Sequence, residues 1–256
     1  MLVRLSERRS RRWGFLPCML LLAVGCAEAT DEVFFVVDAE AIEEVNVIAK
    51  DATVELNGGD FEDEIRVIAT RSYSVTAPRI AVDTIDGQLR VTHRCPRQRT
   101  CSVDYVIVMP RVLDAAVVSE AGSVLAAQLA GNLDVTTVFG DVYGGALRSS
   151  EVNISSEFGE VTLSFDTPPE RVRVNTIEGN TSISVPRDES YSIELETARG
   201  DSSLANLEND PEATRSIAVS SDRGDIAVTG VAPMELDEED ADEEDADEDL
   251  EDEDQS

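Results

Sequence analysis

The chain contains one lysine (Lys50), one histidine (His93) and one tryptophan, and aromatic residues make up only 5% of it. These shortages exclude whole classes of chemistry. A His-based metal centre needs more imidazoles than one. Cysteine is scarce too, at four residues, with no CxxC redox pair among them. No glycine-rich nucleotide loop precedes a helix, and no helical periodicity is visible beyond the first 25 residues. Long apolar runs are missing except for "FLPCMLLLAVG" (15–25), which is too short to span a bilayer as a stable helix. The sequence points to no enzyme.

The two ends explain much of the composition. "MLVRLSERRSRRWG" carries five arginines ahead of the apolar run, the order of an export signal over residues 1–25. The run ends "LAVGC", which resembles the lipobox of bacterial lipoproteins. That resemblance implies cleavage before Cys26 and acylation of its thiol and new amino group, with 26–32 as a short tether. The alternative is a plain secretory signal followed by an unrelated cysteine. Ala27 after the cysteine implies, by the same resemblance, an outer-membrane lipoprotein facing either the periplasm or the surface. At the other end, sixteen of the twenty residues from Glu235 to Asp254 are acidic, so 233–256 is expected to be a disordered tail.

Net charge is −32 for the whole chain. Removing the leader (five Arg, one Glu) gives −36, and removing the sixteen acids of the tail leaves −20 on the body. Nucleic acid and anionic surfaces, which need a basic face, are therefore poor partners for the body as a whole.

What the chain does have is a repeat. "LDVTTVFGDVYGG" from Leu133, "VNISSEFGEVTLS" from Val152, "VRVNTIEGNTSIS" from Val172, "IELETARGDSSLA" from Ile193 and "IAVSSDRGDIAVT" from Ile217 share one template. Apolar residues alternate, a hydroxyl stands fifth (Thr137, Ser156, Thr176, Thr197, Ser221), and a glycine follows at Gly140, Gly159, Gly179, Gly200 and Gly224. A looser copy ends at Gly122, and "IAVDTIDG" (80–87) fits as well. From Gly122 onward the glycines are 18, 19, 20, 21 and 24 residues apart. The pattern is strand, corner, strand, in a unit too small to bury its own apolar face. We therefore expect an all-β fold over 33–232: a β-solenoid, specifically a single-stranded right-handed parallel β-helix with coils of about twenty residues. An antiparallel β-sandwich is the alternative.

The repeat also accounts for two Arg-Gly-Asp tripeptides, 199–201 and 223–225. Glycine and acid belong to the corner and only the arginines are extra, so recognition by an animal adhesion receptor is not expected. In-register stacking would align Asp141, Glu160, Asp201 and Asp225 in a column, interrupted by Asn180. Like charges so placed repel. Weak Ca²⁺ binding would relieve them, as would pairing across coils such as Glu178 with Arg199.

Upstream the strands continue but the repeat blurs. "NGGD" reads as a turn between "VNVIAKDATVEL" and "EIRVIATRSYSV". Cys95 and Cys101 flank five residues between alternating strands, and in an exported chain the expectation is a disulfide closing a hairpin loop. Arg90, Arg94, Arg97 and Arg99 make that region the one basic island. It is either a solvated tip or a site for an anionic glycan, a lipid phosphate or the acidic tail.

With "VTTVFGDV", "NISSEFGEV" and "IAVSSDRGDI" as the carrying residues, the chain from about Val33 to Val231 resembles a bacterial putative-adhesin family of unknown function whose members form β-solenoids. The resemblance implies a fold and brings no catalytic residues. Two functions stay open. One is a lipid-anchored envelope protein that binds a glycan or envelope protein, adheres or scaffolds, including as a periplasmic stress sensor. The other is a polysaccharide-acting enzyme on a β-helix, whose cleft would need the longest insertion, "LANLENDPEATRS" (204–216).

Overall fold

The computed structural model describes residues 4–5, 28–60, 63–97 and 100–232, and every element in them is a strand. The repeat region supplies β9 (Asp114–Ala121), β10 (Val124–Ala127), β11 (Leu133–Phe139), β12 (Val142–Leu147), β13 (Glu151–Phe158) and β14 (Val161–Phe165). It continues through β15 (Arg171–Glu178), β16 (Thr181–Pro186), β17 (Tyr191–Thr197), β18 (Ser202–Ala205), β19 (Arg215–Arg223) and β20 (Ile226–Val231). Before it come β1 (Arg4–Leu5), β2 (Ala29–Asp38), β3 (Glu44–Asp51), β4 (Val54–Gly59), β5 (Glu64–Tyr73), β6 (Arg79–Ile85), β7 (Gln88–Arg94) and β8 (Cys101–Pro110).

Each repeat unit bends once at its glycine and sends its two halves to different sheets. The first halves stack in a nine-stranded sheet, β17-β19-β15-β13-β11-β9-β3-β7-β6. The second halves join an eleven-stranded sheet, β1-β2-β5-β8-β4-β10-β12-β14-β16-β20-β18. Alternation decides what lies between them. Val152, Ile154, Val161 and Leu163 turn inward and are at most 1% exposed, while Thr162 turns out. Stacked layers of this kind give the continuous core that a single coil could not form.

The expected architecture needs correction in strand direction, in the reach of the repeat and in coil order. The body is parallel, but its N-terminal end is not: β2–β5, β5–β8 and β6–β7 pair antiparallel, so the two sheets are mixed. The segment 80–87, expected as a coil, is instead one arm and the turn of the β6–β7 hairpin, with positive φ at Asp86 and Gly87 closing it. "NGGD" is largely strand, because Asn57, Gly58 and Gly59 pair with Val108, Met109 and Pro110 of β8. The repeat extends further upstream than its glycines suggest: β3 and β4 form a coil stacked on β9 and β10, with Ala52 and Thr53 at its corner.

The third correction concerns coil order. β19 pairs with β15 on one side and β17 on the other, and β20 likewise lies between β16 and β18. The chain skips a layer after β16, lays down the terminal coil β17–β18, and returns to insert β19–β20. The arginine at the corner facing Glu178 is therefore Arg223, at 3.0 Å, and not Arg199.

Candidate functional site

The corners carry the sequence signal, so their geometry decides what they can do. Gly122, Gly140, Gly159, Gly179, Gly224 and Gly200 all have positive φ and stand directly on one another. A Cβ on Gly159 would lie 2.2 Å from the carbonyl oxygen of Gly140, so backbone proximity excludes a side chain even before torsional strain does. Hydrogen bonds run the same way: the N–H of Gly140 donates to Phe158 O, Gly159 to Glu178 O, Gly179 to Arg223 O and Gly224 to Arg199 O, at 2.9–3.0 Å.

The acidic column follows the order Asp141, Glu160, Asn180, Asp225, Asp201. Its carboxylates have structural work: Asp141 Oδ1 accepts from Glu160 N–H at 2.8 Å, and Asp225 Oδ1 from Asp201 N–H at 2.9 Å. Asn180 Oδ1 does the same for Asp225 N–H, at 2.9 Å. A short acid or amide after the glycine thus caps the corner of the next coil. Among the described residues no group of three or more His, Cys, Asp or Glu is arranged to hold a metal.

Inside the corners the fifth-place hydroxyls form a second column. Thr137, Ser156, Thr176 and Ser221 are 1–6% exposed, and their hydroxyl oxygens have no hydrogen-bond partner among the described residues. Thr197, in the terminal coil, donates to Gly224 O at 3.0 Å.

Outside, the slot before the glycine differs from coil to coil. Its register partners run Ala121, Phe139, Phe158, Glu178, Arg223. Phe139 and Phe158 are 55% and 37% exposed, yet stack on each other at 5.1 Å with planes 9° apart. Around the same corner, the hydroxyl of Tyr143 donates to Asp141 Oδ2 at 3.3 Å, and that carboxylate holds the phenol above its ordinary pKa. Stacked phenylalanines in solvent are unusual in so acidic and aromatic-poor a chain. In the sequence the two phenylalanines stand before the glycine of successive repeat units. The signal available was their adjacency in the repeat.

The insertion 204–216 lines an open depression through its residues Asn206 to Pro211, facing Arg187, Asp188, Glu189 and Ser190. It crosses the end of the solenoid and lays Asn209 against β17, where its amide oxygen accepts from Ile193 N–H (2.8 Å) and its amide nitrogen donates to Ile193 O (3.0 Å). One side chain thus imitates a neighbouring strand.

Cys95 and Cys101 are disulfide-bonded. The bond does not close a hairpin, however, because β7 belongs to the nine-stranded sheet and β8 to the eleven-stranded one. It fastens a corner between sheets. Arg90 and Arg94 are exposed on β7, with Arg97 exposed just beyond; Arg94 lies opposite Arg79, a basic neighbour that linear reading missed. His93 points the other way, sharing a 3.1 Å hydrogen bond with the buried Tyr105; burial lowers its pKa below the usual value. Cys26, Arg99 and the acidic tail lie outside the described residues.

Residues 36–229 match the model of the family described as Toastrack DUF4097. A crystal structure described as a putative cell adhesion protein from Clostridium sporogenes is similar with a TM-score of 0.54 and 14% identity, over 79% of this chain and all of that one. A putative adhesin from Bacteroides fragilis (TM-score 0.44, 11% identity) covers 80% of this chain and 97% of its own. A putative lipid binding protein from Parabacteroides distasonis (TM-score 0.27, 10% identity) covers 80% and 96%. At such identities the first of these shows the fold alone. No curated protein is similar enough to match.

Proposed function

The chain belongs to the Toastrack DUF4097 family, and on that premise we propose that it is a non-catalytic contact protein of the cell envelope, held to the outer membrane by a lipid on Cys26. The observation that carries this reading is the stacked, exposed Phe139–Phe158 pair. Burying what remains exposed of the two rings against a partner would contribute about 0.5–1.5 kcal/mol each, on the order of half the value for a fully exposed ring. Tyr143 and the carboxylates of Asp141 and Glu160 beside them supply polar contacts at the rim of an aromatic centre.

The test is attachment or partner capture by cells producing the chain with Phe139→Ser and Phe158→Ser. Loss of contact with unchanged envelope abundance is the expected result; unchanged contact overturns the role of the pair. Protease treatment of intact cells fixes the setting. Digestion without lysis fits adhesion, and protection until the outer membrane is opened fits a periplasmic scaffold or sensor.

A further inference from the structure

We propose that the arginines beside the disulfide corner bind the anionic headgroups of the membrane that holds the chain, an inference resting on the lipid-anchor reading above. The tertiary structure brings together what the sequence separates. Ala29, where β2 begins, pairs with Tyr73, and Tyr73 pairs with Cys101. Cys101 is bonded to Cys95, which follows Arg94, and Arg94 lies directly opposite Arg79. One continuous row of neighbours thus leads from the start of the domain to Arg79, Arg94 and Arg97. Only Ala27 separates Cys26 from Glu28, a covalent reach of at most about 7 Å. A lipid on Cys26 would therefore hold this corner at headgroup level.

The charge pattern fits that position. Elsewhere most cations find acids: Lys50, Arg66, Arg71, Arg111, Arg148, Arg171, Arg187, Arg215 and Arg223 form ion pairs, while Arg90, Arg173 and Arg199 form none among the described residues. Arg79, Arg94 and Arg97 are exposed and form none among the described residues. Like charges directly opposite across an antiparallel pair, as Arg79 and Arg94 are, weaken the sheet, so their placement costs stability that the fold does not recover internally. On β2, Asp31 is engaged by Arg71 through two bonds of 2.6 and 2.7 Å, and Glu32 and the preceding Glu28 are exposed. Arg90 is opposite Asp83 and stands apart from the group. The strand that leads into the acidic tail, β20, is eight strand steps from β2, or about 38 Å, which is several screening lengths. The chain is thus acidic as a whole and carries a local basic cluster at this corner.

The experiment is vesicle flotation of the chain from residue 26 onward, with Cys26→Ser, which retains every strand from β2 on. Vesicles of phosphatidylcholine are compared with vesicles that also contain phosphatidylglycerol. Binding should appear only with phosphatidylglycerol, weaken with salt, and fall about fivefold for each of Arg79→Gln and Arg94→Gln, following a cost of about 1 kcal/mol per arginine at such a surface. Arg199→Gln, an arginine at the opposite end, should change nothing. Equal flotation on both vesicles, none on either, or indifference to Arg79→Gln and Arg94→Gln would overturn the proposal. So would displacement by dilute inorganic phosphate, which would make the corner a site for a soluble anion. The mass of the Cys26 peptide from cells reports separately on the anchor, so an unacylated terminus sinks that reading and leaves the flotation result standing.

Discussion

Thr137 illustrates how individual residues in this fold trade one requirement against another. Its methyl group fills the inner corner while its hydroxyl, 1% exposed as part of the residue, has no partner among the described residues. A buried hydroxyl without a hydrogen bond costs about 1–3 kcal/mol. Thr137→Val keeps the shape and removes the polar atom, so it should leave stability unchanged or raise it by about 1 kcal/mol, read from the midpoint of urea unfolding. His93 gives the opposite kind of test. Burial depresses its folded pKa below 6.5, with Asp51 opposing the shift and Lys50 adding to it. The unfolded chain then takes up a proton first as pH falls. The stability held by neutral His93 is complete above about pH 6.5 and is lost as pH drops from there through the folded pKa. His93→Gln should flatten the pH dependence of unfolding below pH 6.5; an unaltered profile would assign the acid sensitivity to other groups.

Among the elements, the terminal coil is the weak one. β17 has β19 on one edge and only Asn209 and the N–H of Asp210 on the other, and the four residues of β18 are all exposed. Asn209→Ala would strip Ile193 of both partners and is expected to cost about 1–2 kcal/mol. Hydrogen exchange should show the loss first at Ile193 and then through β17 and β18, while β11 and β13 stay protected. Uniform loss of protection would mean that the solenoid opens as one cooperative unit. The wide spacing from Gly200 to Gly224 and the insertion at 204–216 are visible in the sequence, and in the fold they mark the chain's return across a layer.

For the whole molecule, charge is the dominant condition. A body at −20 repels itself, and salt screens that repulsion more than it weakens the few exposed ion pairs. The melting temperature should therefore rise between dilute buffer and about 1 M sodium chloride, where the screening length falls to about 3 Å. A falling melting temperature would give the larger share to ion pairs such as Arg71–Asp31.

Periodicity alone determined that Val152, Ile154 and Ser156 turn inward, that a glycine makes each corner, and that coils stack on one another, because these depend on neighbours within a single unit. It could not determine which coil stacks on which. All copies present the same edge, so Gly224 fits on Gly179 as well as on Gly200 would, and only the closing of the connections selects the order. Nor could it show that β6 turns back on β7, that the disulfide joins two sheets, or that Arg79 stands opposite Arg94 beside the chain's entry point. Those relations join residues far apart in the chain, and only the folded sheets bring them together.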